Sequence, residues 1–199
     1  GDCVTESTRT FRHQPFRLDD HLKRLYQSLK VCRIDPGVTQ AEMRAVTLKL
    51  LAINQPLLGP ADDYWIVHNI SRGLSKPGPN PAQKNPATIM IFNSPMDLRG
   101  WKKYYTQGCH AVTSFSRAIP AQSLDARIKN RSRLSYTLVD QEARLVDPEA
   151  QVVILDIHGH VSENKGGNIF AVTDGQLRTP TADNCLAGIS RQTVLELAR

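Results

Sequence analysis

The fold of this chain is decided by the sequence from Arg127 to Arg191, where three stretches stand out: Arg127-Ile128-Lys129-Asn130-Arg131, Val161-Ser162-Glu163-Asn164-Lys165-Gly166-Gly167-Asn168-Ile169-Phe170 and Gly188-Ile189-Ser190-Arg191. The first contains a lone lysine, the second a glutamate before two glycines, and the third a glycine that opens a helical pattern. In order along the chain they offer an amine, a carboxylate and a phosphate-sized cradle of backbone N–H groups.

Lys129 is surrounded by the arginines Arg127, Arg131 and Arg133. Neighbouring cations and partial burial both lower the pKa of a lysine, which favours the neutral amine that forms a Schiff base. The same cluster is typical of a basic surface or of a nucleic-acid patch, and the segment taken alone favours that simpler interpretation. No aromatic interleaving and no nucleic-acid motif accompany it, so the nucleic-acid patch has no support.

Glu163 and Gly188 fit one kind of chemistry together, although each is ambiguous alone. A carboxylate beside a pyridine nitrogen keeps that nitrogen protonated and makes the ring an electron sink, yet an exposed hairpin glutamate would look the same. The backbone N–H groups of Gly188-Ile189-Ser190 can bind a phosphate or simply begin a helix. Arg24 can grip the same phosphate through two bonds, or be a solvated helix arginine.

The composition is that of an ordinary globular chain. Its 199 residues are 40% hydrophobic and 22% charged, no apolar run approaches the length of a membrane span, and no signal-peptide pattern is visible. The net charge of +6 is spread along the sequence, which favours a solvated basic surface, with the attraction of anionic metabolites as the alternative. The 4 cysteines stand far apart without a C-x-x-C pair, so reduced thiols and a cytoplasmic location are expected.

The hydrophobic periodicity predicts an α+β class with two domains. Residues 1–94 are expected to form an N-terminal α/β domain, 95–102 a linker with Pro95 and Gly100, and 103–199 a C-terminal domain. Strands are predicted at 4–10, 64–70, 87–92, 110–115, 152–155, 160–162 and 169–173, with turns at His158-Gly159 and Asp174-Gly175. Helices are predicted after Asp19, from Thr39, as a short piece after Gly100, at 132–145 and at 190–199, and a mobile loop at 73–86.

The first two helices carry explicit signals. Asp19 is the expected N-cap of the first helix. Its apolar face is predicted to carry Leu22, Leu25, Tyr26 and Leu29, and a different face carries His21, Arg24 and Ser28. The second helix begins with the capping box Thr39-Gln40-Ala41-Glu42. It is expected to turn inward Met43, Val46, Leu50 and Ile53.

In this combination the chain resembles the fold-type IV pyridoxal-phosphate enzymes, or class IV aminotransferases, and among them the branched-chain aminotransferase-like members. The matching motifs span essentially the whole chain: Gly1-Asp2-x-Val4-x-Glu6, Phe16 to Leu25, Ile70-Ser71-Arg72-Gly73, Ile128-Lys129, Gln141-Glu142-Ala143, Ser162-Glu163 through Asn168-Ile169-Phe170, Asp174-Gly175, Thr179-Pro180 and Gly188-Ile189-Ser190-Arg191-Gln192. The resemblance implies a two-domain, D-amino-acid aminotransferase-like α+β fold. It also implies roughly 300 residues, so this chain, which starts without Met, is expected to be truncated at both ends.

The resemblance implies a role for each site residue. Lys129 would be the Schiff-base lysine of pyridoxal 5'-phosphate and the base that moves the substrate proton, and Glu163 would hold the pyridinium nitrogen. Arg24 and the backbone N–H groups of Ile189 and Ser190 would bind the phosphate. Arg72 resembles an arginine that lies near the substrate carboxylate in some members.

The substrate is less defined than the cofactor. Branched-chain members commonly have a Tyr five residues after the lysine, where this chain has Leu134, as in D-amino-acid-type relatives; Tyr136 follows two residues later. In the opening strand Thr5 and Ser7 replace an aromatic and a glycine, whereas Arg9 agrees, so these three are the expected substrate-side residues. Branched-chain L-amino acids with 2-oxoglutarate are favoured. D-amino-acid or (R)-amine transamination, or a lyase acting on aminodeoxychorismate, are the enzymatic alternatives.

The expected partners follow from the same resemblance. They are an amino acid, a 2-oxo acid and a second copy of the chain in a homodimer, with neither nucleic acid nor membrane. His158-Gly159-His160 resembles a metal pair, but a hairpin turn explains it and no third ligand stands at a useful spacing, so no metal is expected. The competing class is a non-catalytic basic module, which would take up no cofactor and would bind nucleic acid in a salt-sensitive way.

Overall fold

The computed structural model describes residues 2–73 and 86–199. Residues 74–85 of the loop predicted at 73–86 therefore lie outside the described residues. The chain divides into two compact units, the first made of Gly1–Asp97 with Lys129–Ser132 and the second of Leu98–Ile128 with Arg133–Arg199. The segment with Lys129, which the predicted 103–199 domain includes, thus packs with the first unit.

The elements follow the predicted order, mostly with small shifts at their ends. The strands are β1 (Cys3–Phe11), β2 (Gln14–Pro15), β3 (Tyr64–Ser71), β4 (Thr88–Pro95), β5 (Ala111–Thr113), β6 (Gln151–Leu155), β7 (Val161–Glu163), β8 (Ala171–Thr173) and β9 (Gln176–Arg178). The helices are α1 (Leu18–Val31), α2 (Gln40–Asn54), α3 (Tyr104–Gln107), α4 (Leu134–Val146) and α5 (Ile189–Leu197). Strands β2 and β9 were not predicted. No helix within 2–73 or 86–199 combines the length and apolarity needed to cross a bilayer.

An antiparallel sheet with the order β2-β1-β3-β4 is the frame of the first unit. Alternate residues of β1 face the helices, because side chains of a strand alternate between the two faces of a sheet. Leu22, Leu25 and Leu29 of α1 are buried in one cluster with Val4 and Ile70 from this face. The predicted apolar face of α1 is therefore confirmed, and it attaches the helix to the centre of the sheet.

The predicted N-cap of α1 is wrong. The helix begins at Leu18, and its N-cap residue is Arg17, whose φ of 49° is left-handed and whose side chain makes no capping bond. Asp19 lies inside the first turn and instead pairs with Arg44 of α2 at 2.8 Å. Acidic side chains are favourable there because they face the positive end of the helix dipole. Hence the aspartate pattern marked the correct region but the wrong residue.

The capping box of α2 is confirmed, but its predicted inward face is only partly correct. The Thr39 hydroxyl accepts from the Glu42 N–H at 3.2 Å, and the Glu42 carboxylate accepts from the Thr39 N–H at 2.7 Å. Met43 is buried as expected, whereas Val46 and Ile53 are 54% and 63% exposed. The other residues buried by α2 are Thr47 and Leu51.

The second unit contains a small mixed sheet and a hairpin. Strands β5 and β6 are parallel, and β7 is antiparallel to β6. Helix α4 packs on them through Val139 and Ala143, which are buried with Val152 and Ile154. The hairpin β8–β9 turns at Asp174-Gly175, where φ is 51° and 72°, so the predicted turn is confirmed.

Candidate active site

Lys129 is fixed by its main chain between β1 and α1. Its carbonyl oxygen accepts from the N–H of Thr5 at 2.9 Å, and its own N–H donates to Oγ of Ser28 at 3.2 Å. Beyond it, Asn130 forms an antiparallel bridge with Val4. The half-buried lysine side chain therefore starts from a defined position in the first unit.

Arg24 lies one turn before Ser28 on α1 and forms a bidentate ion pair with Glu6 of β1. Its Nε donates to Oε2 at 2.9 Å and its Nη2 to Oε1 at 2.6 Å. His21 Nδ1 lies 2.9 Å from Oε1, and the Ser7 N–H donates to the same oxygen at 2.9 Å. Glu6 is completely buried, and Arg24 and His21 are nearly so. The polar face of α1 is therefore a buried face.

The Glu6 carboxylate stays charged despite its burial. Burial alone would raise the pKa of Glu6, but the hydrogen bonds from His21 and Arg24, together with their charges, outweigh it and lower the pKa to about 2. Arginine is permanently protonated, so the pair is ionic across the range in which proteins are folded. A guanidinium is thereby locked beside the segment that carries Lys129.

His68 faces Glu6 across the β1–β3 pairing and is also buried. The Thr47 hydroxyl donates to the Met43 carbonyl oxygen at 2.7 Å and lies 2.8 Å from His68 Nε2. Because that hydroxyl proton is used, His68 donates through Nε2 and is the Nε2–H tautomer. Burial lowers the pKa of His68 to about 4, so the ring is neutral at neutral pH.

Glu163, in the second unit, is buried at the end of β7 with a donor on each oxygen. The Tyr136 hydroxyl donates to Oε1 at 2.7 Å, and the Leu186 N–H donates to Oε2 at 3.1 Å. Burial, reinforced by the neighbouring Glu163, raises the pKa of Tyr136, so the phenol keeps its proton and remains a donor. The Arg133 guanidinium packs over the Tyr136 ring, 3.9 Å from its centre.

The start of α5 is shaped by Gly188. This N-cap residue makes no side-chain capping bond, so the first N–H groups of the helix, at Ile189 and Ser190, lack a side-chain cap. A Cβ on Gly188 would clash with Oδ1 of Asn168, whose amide nitrogen donates to the Leu186 carbonyl at 2.8 Å. The same loop thus supports both Glu163 and the helix start. The donor set fits a phosphate.

Arg72 is held at the edge of the first unit. Its guanidinium donates to both oxygens of Asp2, at 2.5 and 3.1 Å, and to the carbonyl oxygens of Cys32 and Arg33, each at 2.9 Å. These bonds join the start of β1 to the end of α1. Arg72 therefore links these two segments of the first unit, and its predicted role in substrate binding stays a prediction.

Thr5, Ser7 and Arg9 share the face of β1 that points away from α1. The Thr5 hydroxyl donates to Asn69 Oδ1 at 2.8 Å, and the Arg9 guanidinium lies 3.8 Å from the centre of the Phe11 ring. Thr5 is buried, whereas Ser7 and Arg9 are half-buried. This placement brings the three predicted substrate-side residues onto one surface.

Sequence reasoning assigned no role to Glu6, His21 or Tyr136. An available signal was the position of Glu6 in β1, because it shares the buried phase of the strand with Val4 and Thr8, and a carboxylate there requires partners. His21 stands three residues before Arg24 and therefore on the same face of the helix. Tyr136 carried no comparable signal.

The family model of amino-transferase class IV matches residues 3–199. The chain therefore belongs to the class IV aminotransferase family, and the expected fold-type IV architecture is confirmed by solved relatives. The putative branched-chain-amino-acid aminotransferase of Methanocaldococcus jannaschii is 32% identical over 100% of this chain and 66% of its own length.

Two solved structures agree closely in fold. The Escherichia coli branched-chain amino acid aminotransferase has a TM-score of 0.87 and 27% identity over 99% of this chain and 65% of its own. The branched-chain amino acid aminotransferase of T.th., complexed with N-(5'-phosphopyridoxyl)-L-glutamate, has a TM-score of 0.83 and 26% identity, covering 99% of this chain and 64% of that one. The chain thus spans just under two thirds of these solved relatives.

Proposed function

We propose that the protein is a pyridoxal-phosphate-dependent transaminase that moves an amino group between an amino acid and a 2-oxo acid. The observation that carries this proposal is the fixed main chain of Lys129, bonded to Thr5 and Ser28 in a chain of the class IV family. The cofactor is supported by the phosphopyridoxyl adduct named for the T.th. relative. The uncapped start of α5 and the doubly bonded Glu163 offer groups that suit its phosphate and its ring.

Each residue contributes a distinct function. When bound, pyridoxal phosphate supplies an electron sink that makes the α-proton of the substrate acidic. Lys129 Nζ would anchor the cofactor and transfer that proton. Glu163, oriented by its two donors, would accept from the pyridinium nitrogen. Arg24 in the first unit, and the backbone N–H groups of Ile189 and Ser190 in the second, are the groups that would bind the phosphate.

Branched-chain L-amino acids are the favoured donors, with 2-oxoglutarate as acceptor. The names of the M. jannaschii, E. coli and T.th. relatives support this choice. Thr5, Ser7 and Arg9 would line the substrate side from the open face of β1, and Arg72 would lie near the substrate carboxylate.

A D-amino-acid or (R)-amine transaminase is the second candidate. The Tyr expected five residues after the lysine in branched-chain enzymes is Leu134 here, and 69% of Leu134 is exposed. Tyr136 cannot replace that Tyr in this conformation, because its hydroxyl proton is used by Glu163. Comparing single-turnover rates with L-leucine, D-alanine and an (R)-amine separates the two candidates.

The assembly and the compartment are also proposals. A cytoplasmic location is supported by the free cysteines Cys3, Cys32, Cys109 and Cys185. A homodimer is supported by apolar side chains on the face of the first sheet that α1 does not cover. Trp65, Met90 and Phe92 on that face are 36%, 55% and 37% exposed. Sedimentation equilibrium at micromolar concentration would yield the mass of two chains, whereas a single-chain mass would contradict the dimer.

The cofactor and its anchor are tested by absorbance. The purified protein mixed with pyridoxal phosphate is expected to develop a visible band that borohydride abolishes, with the reduced adduct mapped by mass spectrometry to Lys129. Lys129→Met should form no adduct and lose at least about a thousandfold in transamination rate. The matched control is Lys103→Met, since Lys103 is a surface lysine paired with Glu149 at 3.2 Å. An adduct on another lysine, or no band in the wild type, would refute the proposal.

A further inference from the structure

The Glu6–Arg24 ion pair is buried, and its carboxylate has several hydrogen-bond partners. The carboxylate receives Nε and Nη2 of Arg24 and the backbone N–H of Ser7, and it contacts Nδ1 of His21. His68 faces it from the neighbouring strand. A buried ion pair is weak evidence for stability, because desolvation offsets much of the attraction. The burial of the pair therefore does not by itself explain why Glu6 stands here.

Because the guanidinium is planar, its bidentate contact with Glu6 fixes the orientation of the whole group. Glu6 occupies the edge formed by Nε and Nη2, so the Nη1 corner of Arg24 is turned away from the carboxylate. Bidentate bonds on one edge fix both the position and the rotation of the group, which a single bond would not do. Because α1 is attached to β1 here, the arginine is held beside the strand that also bonds the main chain of Lys129.

We propose that Glu6 is the positioning residue of the phosphate site: its carboxylate fixes the guanidinium of Arg24 in the orientation that receives the cofactor's phosphate. This inference rests on the proposed pyridoxal-phosphate function. Glu6 itself does not touch the cofactor and acts through Arg24.

Two effects of Glu6 on phosphate binding oppose each other. Its negative charge weakens the attraction between Arg24 and a phosphate, whereas its fixed geometry prepares the guanidinium for paired bonds. Such bonds require the donor to lie within about 0.5 Å and 10–20° of the productive arrangement. A side chain with as many rotatable bonds as arginine loses that arrangement when its bidentate partner is removed, so orientation dominates.

The test compares pyridoxal phosphate with pyridoxal, which lacks the phosphate. The measured quantity is the phosphate preference, defined as the Kd of pyridoxal divided by the Kd of pyridoxal phosphate, from tryptophan fluorescence of the purified protein. Glu6→Gln and Glu6→Asp are both expected to lower this preference about tenfold, since each breaks the bidentate contact. Thr47→Val is the matched control, because it removes a buried hydrogen bond to His68 in the same layer without touching Arg24. It should lower the melting temperature and leave the preference unchanged.

A double-mutant cycle shows whether Glu6 acts through Arg24. In an Arg24→Gln background, Glu6→Gln should have no further effect on the preference. An unchanged or higher preference in Glu6→Gln and Glu6→Asp overturns the inference, as does an equal loss with and without Arg24. If Glu6→Gln does not fold, Glu6→Asp, which keeps the charge, decides alone. A wild type that binds pyridoxal and pyridoxal phosphate equally refutes the proposed function as well, whereas a preference that no Glu6 variant changes overturns only the positioning role.

Discussion

In the second unit, the Tyr136 hydroxyl helps to orient the carboxylate of Glu163. The backbone of Glu163 is set by its pairing in β7, but the position of its carboxylate depends on two donors, Tyr136 and the Leu186 N–H. Since the Arg133 guanidinium packs on the Tyr136 ring, the donor is itself held in place. The orientation of the acid is therefore a property of side-chain contacts and not of the strand.

Tyr136→Phe removes the donor and keeps the ring. We expect the free energy of unfolding to fall by about 1 kcal/mol and the transamination rate to fall by about tenfold, because one oxygen of Glu163 loses its partner. Urea denaturation and steady-state kinetics measure the two quantities. Tyr105→Phe is the control, since Tyr105 is 87% exposed, and it should change neither. Equal rates for Tyr136→Phe and the wild type would show that the hydroxyl does not orient Glu163.

Among the elements, α2 depends on its N-terminal capping box. Thr39→Ala removes the hydroxyl that accepts from the Glu42 N–H in the first turn, and we expect a loss of about 1 kcal/mol in the free energy of unfolding. Thr39→Ser retains a hydroxyl and should stay close to the wild type. Urea titrations of the three proteins provide the comparison. A Thr39→Ala protein as stable as Thr39→Ser would mean that the capping bonds make no net contribution.

The start of α5 requires a residue without a Cβ at position 188, which Gly188 provides. A Cβ there would clash with Asn168 Oδ1, so Gly188→Ala must displace Asn168 or the helix. We expect it to cost about 1–3 kcal/mol of unfolding free energy and to weaken pyridoxal phosphate binding more than pyridoxal binding. Gly166→Ala is the matched control, because nothing lies within 4 Å of its added Cβ. If both variants unfold at the same urea concentration, Gly188 is not required for this packing.

For the whole molecule, the buried titratable groups link stability to pH. His68 has its pKa lowered from 6.5 to about 4 by burial, so the unfolded chain takes up a proton there before the folded chain does. The contribution of His68 to stability is then fully present above pH 6.5 and is lost as the pH drops towards 4, by about 3 kcal/mol. Glu6, lowered from 4.5 to about 2, adds a further loss only below pH 4.5.

Unfolding by urea at a series of pH values between about 7 and 4 measures this dependence. His68→Gln keeps an N–H donor for Thr47 and cannot titrate, so its stability should vary much less in the window from pH 6.5 to 4. If the variant and the wild type lose stability in parallel, His68 does not control the acid response.

Much of the architecture could be predicted from local patterns, and the errors have definite causes. Alternation located most of the strands, and the leucine spacing located the buried face of α1. The predicted face of α2 failed at Val46 and Ile53 because Thr47, a polar residue, is buried through its bond to His68. The N-cap was predicted at Asp19 but lies at Arg17, because no sequence pattern identifies an arginine whose backbone adopts the left-handed conformation.

The sequence by itself determined the family and the chemical groups, because motifs, helix periods and turn residues are properties of short segments. Lys129, Glu163 and the glycine-led start of α5 were all recognisable in this way. Only the tertiary structure decided how these groups are held, since the contacts join distant residues. Glu6 and Arg24 are 18 positions apart, and Ser28 and Lys129 are 101 apart. A pairing of buried charges depends on distance and desolvation in the folded chain, and no local pattern specifies either.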